Sequence, residues 1–142
     1  MTEIKSLVPD LSYCKLFDKY NLFNRSLFVI IDNWMGKKQF YGFRYNTQYG
    51  KYESRYSAPT TSEMISILPD DRTRIFKNRK NTCLTIDCDC NKQCEIEYVI
   101  VILDETKTDT LYSARNNKLE NALAEIIIRM KRENDTINKI EK

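Results

Sequence analysis

One stretch constrains this chain more than any other. Leu119, Ala122, Leu123, Ile126, Ile127 and Met130 recur at i, i+3, i+4, i+7, i+8 and i+11. That spacing lays an apolar stripe along one face of an α-helix. A helix of this kind must bury its stripe, and the chain before it offers β-rich runs as cover. The spacing predicts a helix over 117–134, with Asn117 and Glu120 as a capping pair. Residues 135–142 read as a frayed tail.

The other elements follow from shorter signals. Leu11, Cys14, Leu16, Phe17 and Tyr20 recur at helical spacing and predict a helix over 11–20. The run SLFVIIDNW (26–34) is apolar, aromatic and β-branched, which is the composition of a buried strand. Residues 38–45 should pair back on it as a hairpin, with 49–56 as a third strand. Thr60 followed by Glu63 is a capping box, and Met64, Ile67 and Leu68 give that helix an apolar face. Pro69 should end it. DDRTRIFKNRK (70–80) reads as a polar loop. Residues 82–90 and 94–103 read as a hairpin in which Cys90 opposes Cys94, Cys88 meets Ile96, Ile86 meets Tyr98 and Leu84 meets Ile100. The order α-β-β-(β)-α-β-β-α predicts an α+β class: one domain, with an antiparallel sheet of about 4–5 strands and helices on one face.

Composition removes several kinds of chemistry. There is no His, so no His-based triad or His-ligated metal can come from this chain alone. Only three Gly are present, and neither a dinucleotide fingerprint nor a P-loop occurs. Apolar runs are far shorter than a membrane span needs. MTEIKSLVPDLSYCK lacks a signal-peptide apolar core, so a cytoplasmic setting with reduced thiols is expected. The reading is therefore non-enzymatic, with no cofactor and no membrane partner. Cys83, Cys88, Cys90 and Cys94 are spaced C-x₄-C-x-C-x₃-C rather than as two C-x₂-C knuckles. They read first as inert hairpin thiols. Asp87, Asp89, Glu95 and Glu97 alternate along one hairpin face, which reads as a solvated acidic surface.

Charge is unevenly placed. Residues 35–80 carry ten basic and four acidic groups; residues 81–112 carry two and seven. Within the basic block, Trp34, Phe40, Tyr41, Phe43, Tyr45, Tyr49, Tyr52 and Tyr56 interleave with Lys37, Lys38, Arg44, Lys51 and Arg55. Rings offer stacking area and cations neutralise phosphate or carboxylate, so the pattern suits an anionic partner. A second run, Arg72, Arg74, Lys77, Arg79 and Lys80, would extend that surface. The residues expected to bind are Trp34, Arg44, Tyr45, Tyr49, Lys51, Arg55, Arg72 and Arg74. The plainer account is that alternating aromatics build a sheet with a solvated basic face.

Two segments carry a resemblance. In SAPTTSEMISILPD they are Ala58, Pro59, Thr60, Glu63, Met64, Leu68 and Pro69; in the last helix they are Asn117, Leu119, Ala122, Leu123 and Ala124. With these the chain resembles small uncharacterised bacteriophage and prophage proteins that show an A-P-T-x-x-E-[LM] helix start and an N-x-L-x-x-A-L-A final helix. Arg129, Lys131 and Arg132 depart from the apolar or aromatic residues often found there in such proteins. The resemblance implies an accessory role and no assigned catalytic residues. The expected partner is a host protein or an anionic nucleotide, through which the protein takes part in host takeover or evasion of defence. Nucleic-acid binding through the 34–80 region is the alternative, beside a purely structural, virion-associated role.

Overall fold

The computed structural model describes residues 2–34, 38–46, 54–81 and 94–133. Among these residues four helices and six strands run α1 (Thr2–Leu7), α2 (Leu11–Lys19), β1 (Phe28–Trp34), β2 (Lys38–Phe43), β3 (Arg55–Ala58), α3 (Thr61–Ser66), β4 (Thr73–Asn81), β5 (Cys94–Leu103), β6 (Thr110–Asn116) and α4 (Leu119–Arg132). The class is α+β with antiparallel pairing throughout, as the sequence predicts. The expected single sheet is instead two three-stranded sheets, ordered β2-β1-β3 and β4-β5-β6.

The first sheet is built around β1. Phe28 pairs with Phe43 on one side and Ala58 on the other, and Ile30 with Tyr41 and Tyr56. Its alternate residues are buried on both faces. Phe28 and Ile30 join Ile4, Val8 and Cys14 in one cluster; Val29 and Ile31 pack with Phe40 in another. A strand buried on both faces needs a continuous apolar run, which is why FVII has no polar residue until Asp32.

The second sheet receives α4. Ile100, Ile102 and Ala114 on the sheet meet Ala122, Leu123, Ile126, Ile127 and Met130 on the helix, and Phe17, Met64 and Leu68 close the same cluster. Each fully buried Ile or Leu contributes about 1.5–3 kcal/mol. Arg129, Lys131 and Arg132 in the last turn and Glu120 in the first complement the helix dipole. Helix α2 feeds both cores, Cys14 into the first and Phe17 into the larger one.

Several expectations are corrected. Residues 73–80, within the stretch expected as loop, belong to β4 (Thr73–Asn81). That strand pairs with β5: Asn81 meets Cys94, Arg79 meets Ile96, Lys77 meets Tyr98 and Ile75 meets Ile100. An edge strand needs only a backbone ladder on one side, so its side chains are free to be polar, and periodicity hides it. The strand expected at 82–90, with the partners it would give Cys94, Ile96, Tyr98 and Ile100, falls outside the described residues. Residues 82–93, with Cys83, Cys88 and Cys90, and residues 134–142 lie outside the described residues. Strand β6 and helix α1 were not read from the sequence.

The caps divide in the same way. Thr60 Oγ1 accepts from Glu63 N–H while Glu63 accepts from Thr60 N–H at 2.7 Å, so the predicted capping box is complete. The Asn117–Glu120 pair does not form a cap. Asn116 Oδ1 accepts from Lys118 N–H at 3.0 Å, and Glu120 accepts instead from the Thr61 hydroxyl at 2.9 Å, tying α4 to α3.

Candidate interaction surface

The residues expected to bind fall on both sheets. Arg55 and the backbone of Trp34 belong to the first, with Arg44 and Tyr45 in the turn after β2; Arg74 belongs to the second, with Arg72 in the turn before β4. Trp34 ends β1 across from Lys38, beyond a register shift. Tyr49 and Lys51 lie outside the described residues.

Arg44 is drawn inward. Its Nε donates to Ser26 O at 2.8 Å, and its Nη2 donates to the Ser57 hydroxyl at 2.7 Å, the Ser26 hydroxyl at 3.0 Å and Phe23 O at 3.4 Å. Burial and the neighbouring Arg55 charge hold its pKa below the usual arginine range, although it stays a cation. This fork secures the 21–26 turn, in which Asn21 and Phe23 both stand at φ 58°. Asn tolerates the left-handed region, but Phe does not enter it freely. Phe23 is held there by its edge-on contact with Phe17, at 4.9 Å between centroids, and by Arg44 on its carbonyl. Arg44 therefore acts as a structural brace rather than as the ligand cation expected of it. Nothing in its local sequence distinguishes the two roles.

Beside that turn lies an open cleft of about 500 Å³, lined by Asn21, Phe23, Asn24, Arg25, Ser26, Glu63, Ser66 and Ile67. Its one carboxylate, Glu63, already accepts from Thr60 N–H and Leu27 N–H. None of the residues expected to bind lines it.

Tyr45 does reach solvent. It is 74% exposed and stacks on Phe43, whose ring meets Phe28 in turn. The three rings form a short ladder from the core outward. Arg55 is half-buried within reach of Arg44.

The second sheet carries its charge differently. Arg72 is half-buried and donates to Leu103 O at 3.2 Å; Arg74 is exposed and donates to Asp71 O and Thr73 O, both at 3.1 Å. Beyond them β4 runs at the margin of the described sheet, paired among the described residues to β5 alone. Arg74, Ile75, Phe76, Lys77, Asn78 and Arg79 are all exposed, with Ile75 at 41% and Phe76 at 50%. Lys77 and Arg79 have no ion pair among the described residues. They lie opposite Tyr98 and Ile96, with no carboxylate in register on that face. On the other face Glu97 pairs with Arg115 at 3.4 Å. The sequence signal for this surface was the basic run 72–80. Its strand conformation was the missing part.

Remaining polar chemistry serves the scaffold. Burial pushes the Cys14 thiol up to about 12, where it is no nucleophile, and its Sγ contacts Pro9 O at 3.6 Å. Asn121 in α4 is buried and clamps Asp10: Asp10 N–H donates to Asn121 Oδ1, and Asn121 Nδ2 donates to Asp10 Oδ2, both at 2.8 Å. Lys118 Nζ adds a contact to Asp10 Oδ1 at 3.2 Å. Burial pushes the Asp10 carboxyl pKa upward, but the Asn121 and Lys118 hydrogen bonds and the Lys118 and Lys5 charges outweigh it and hold it below the ordinary value. Among the described residues no group of His, Cys, Asp and Glu could hold a metal ion, and no helix is long and apolar enough to cross a membrane. In comparisons with protein-family models, curated proteins and solved structures, nothing matches this chain.

Proposed function

We propose that this is a non-enzymatic binding protein whose β4 surface engages an acidic macromolecule, in keeping with the accessory role that the phage-protein resemblance implies. One observation carries the reading: exposed Arg74, Lys77 and Arg79 interleave with exposed Ile75 and Phe76 on a regular strand. Cations steer an acidic partner and set its orientation, while the two apolar side chains supply area to bury. Among the described residues Arg74 to Arg79 all face solvent. A cleft of about 120 Å³ beside this surface is lined by Ile65, Leu68, Asp70, Thr73 and Ile75, none of them a cation. A free nucleotide would find no enclosure there.

The test is capture from a host lysate by the wild-type chain and by the triple variant Arg74→Glu, Lys77→Glu, Arg79→Glu, with captured proteins identified. An acidic protein held by wild type, released by salt and absent from the triple variant supports the reading. Equal capture by both proteins ends it.

A further inference from the structure

The direction of the β4 backbone sets what sort of partner the basic margin can take. Arg72 O accepts from Leu103 N–H at 2.9 Å, and the register continues without a shift from Thr73↔Ile102 to Asn81↔Cys94. In an antiparallel ladder, backbone groups turn alternately toward and away from the neighbouring strand. Arg74, Phe76 and Asn78 therefore face β5. Ile75, Lys77 and Arg79 turn both N–H and C=O to the open side. Thr73 N–H donates back to Pro69 O at 3.1 Å, so the open row begins at Ile75.

Natural sheets blunt such a margin with a bulge, a proline, a covering loop or charge. β4 has no bulge and no proline, and its side chains from Arg74 to Arg79 are exposed, which leaves charge as the device among the described residues. Positive charge repels a second copy of the same strand. It does not repel an acidic one.

We infer that β4 accepts an extended acidic segment of another protein as a fourth strand of the β4-β5-β6 sheet. The inference rests on the proposed binding role and specifies its partner. Ile75, Lys77 and Arg79 would exchange backbone hydrogen bonds with the incoming strand. Acidic side chains would lie over Lys77 and Arg79 on the helix-bearing face, where no carboxylate of this chain stands in register. An apolar residue on the opposite face would cover Phe76. A nucleic acid fits less well, because phosphates supply acceptors only and would leave the outward C=O groups of this row without donors.

The test uses the full chain and a short capped peptide alternating glutamate with valine and threonine. The expected result is new protection from hydrogen exchange at the amides of Ile75, Lys77 and Arg79, with Arg74 and Phe76 little changed because they already donate to β5. Methylating the peptide nitrogens on one edge should abolish binding, and methylating those on the other edge should not. Charge-dependent binding without amide protection overturns strand addition but leaves the binding role standing. Absence of binding at millimolar peptide overturns strand addition, and the lysate capture then decides the binding role separately. Retention of single-stranded DNA or RNA in place of the peptide overturns the inference in favour of a nucleic-acid partner.

Discussion

The two sheets put the same kinds of residue to opposite uses. In β2-β1-β3 the central strand is buried on both faces and Arg44 turns inward to brace a strained turn. In β4-β5-β6 the central strand is also apolar, but β4 is exposed from Arg74 to Arg79, and Lys77 and Arg79 have no ion pair among the described residues. Charge alone does not mark a binding residue; what matters is whether the fold has already supplied its partners. Four hydrogen bonds occupy Arg44.

The sharpest way to break this contrast is to truncate matched isoleucines. Ile30→Ala removes a fully buried side chain from β1 and should cost about 3 kcal/mol in chemical denaturation. Ile75→Ala, at a 41% exposed position, should cost less than about 1 kcal/mol. Comparable losses would mean that β4 is not open.

The matched arginines come next. Arg44→Ala removes one donor each from the Ser26 and Phe23 carbonyls and from two serine hydroxyls, and should destabilise by about 2 kcal/mol. Arg44→Lys should recover only part of this, because an ammonium cannot reproduce the planar fork. Arg79→Ala should stay within about 0.5 kcal/mol of wild type. If Arg44→Ala is equally silent, the brace is not one.

A third measurement concerns the clamp between α2 and α4. The Asp10 carboxyl titrates lower in the folded chain than its ordinary 3.8. The folded state thus favours the ionised form. Its stabilising effect is complete above that value and is lost as pH falls through the lower folded pKa. In melting curves, wild type should lose stability across this acid window more steeply than Asp10→Asn. Parallel pH profiles would show that the clamp does not depend on charge.

The smallest expected effect is a gain. Lys107, in the β5–β6 connection, stands at φ 64°. Glycine enters that region without the steric cost a Cβ brings, so Lys107→Gly should stabilise by about 0.5–1 kcal/mol, read as a rise in Tm. A fall would mean that the lysine contributes more through its contact with Asp71, at 3.8 Å, than its backbone costs.

Elements that bury a periodic face were legible in the sequence. The α4 stripe, the FVII run of β1 and the Thr60–Glu63 box each carry their conformation in local residue choice. Strand β4 was not legible, because an exposed margin imposes no apolar alternation and its basic residues look like loop. Strand β6 was missed for a related reason: its one buried side chain is the small Ala114. The site divides along the same line. The cation-rich segments could be read, but which cations the fold consumes could not. Arg44 meets residues 13 to 21 positions away, at Ser57, Ser26 and Phe23, and Asn121 meets Asp10 across 111. Such pairings arise only when the chain is assembled.

Helix α4 follows every described strand, yet it closes the larger core. During synthesis, Met64, Ile100 and Ile102 emerge from the ribosome well before Leu123 and Ile127 can cover them. Until then the nascent chain shows chaperones a sticky, half-finished sheet. Nascent chains stalled at residue 118 should therefore remain protease-sensitive, whereas release of the next turns of helix should bring resistance in one step.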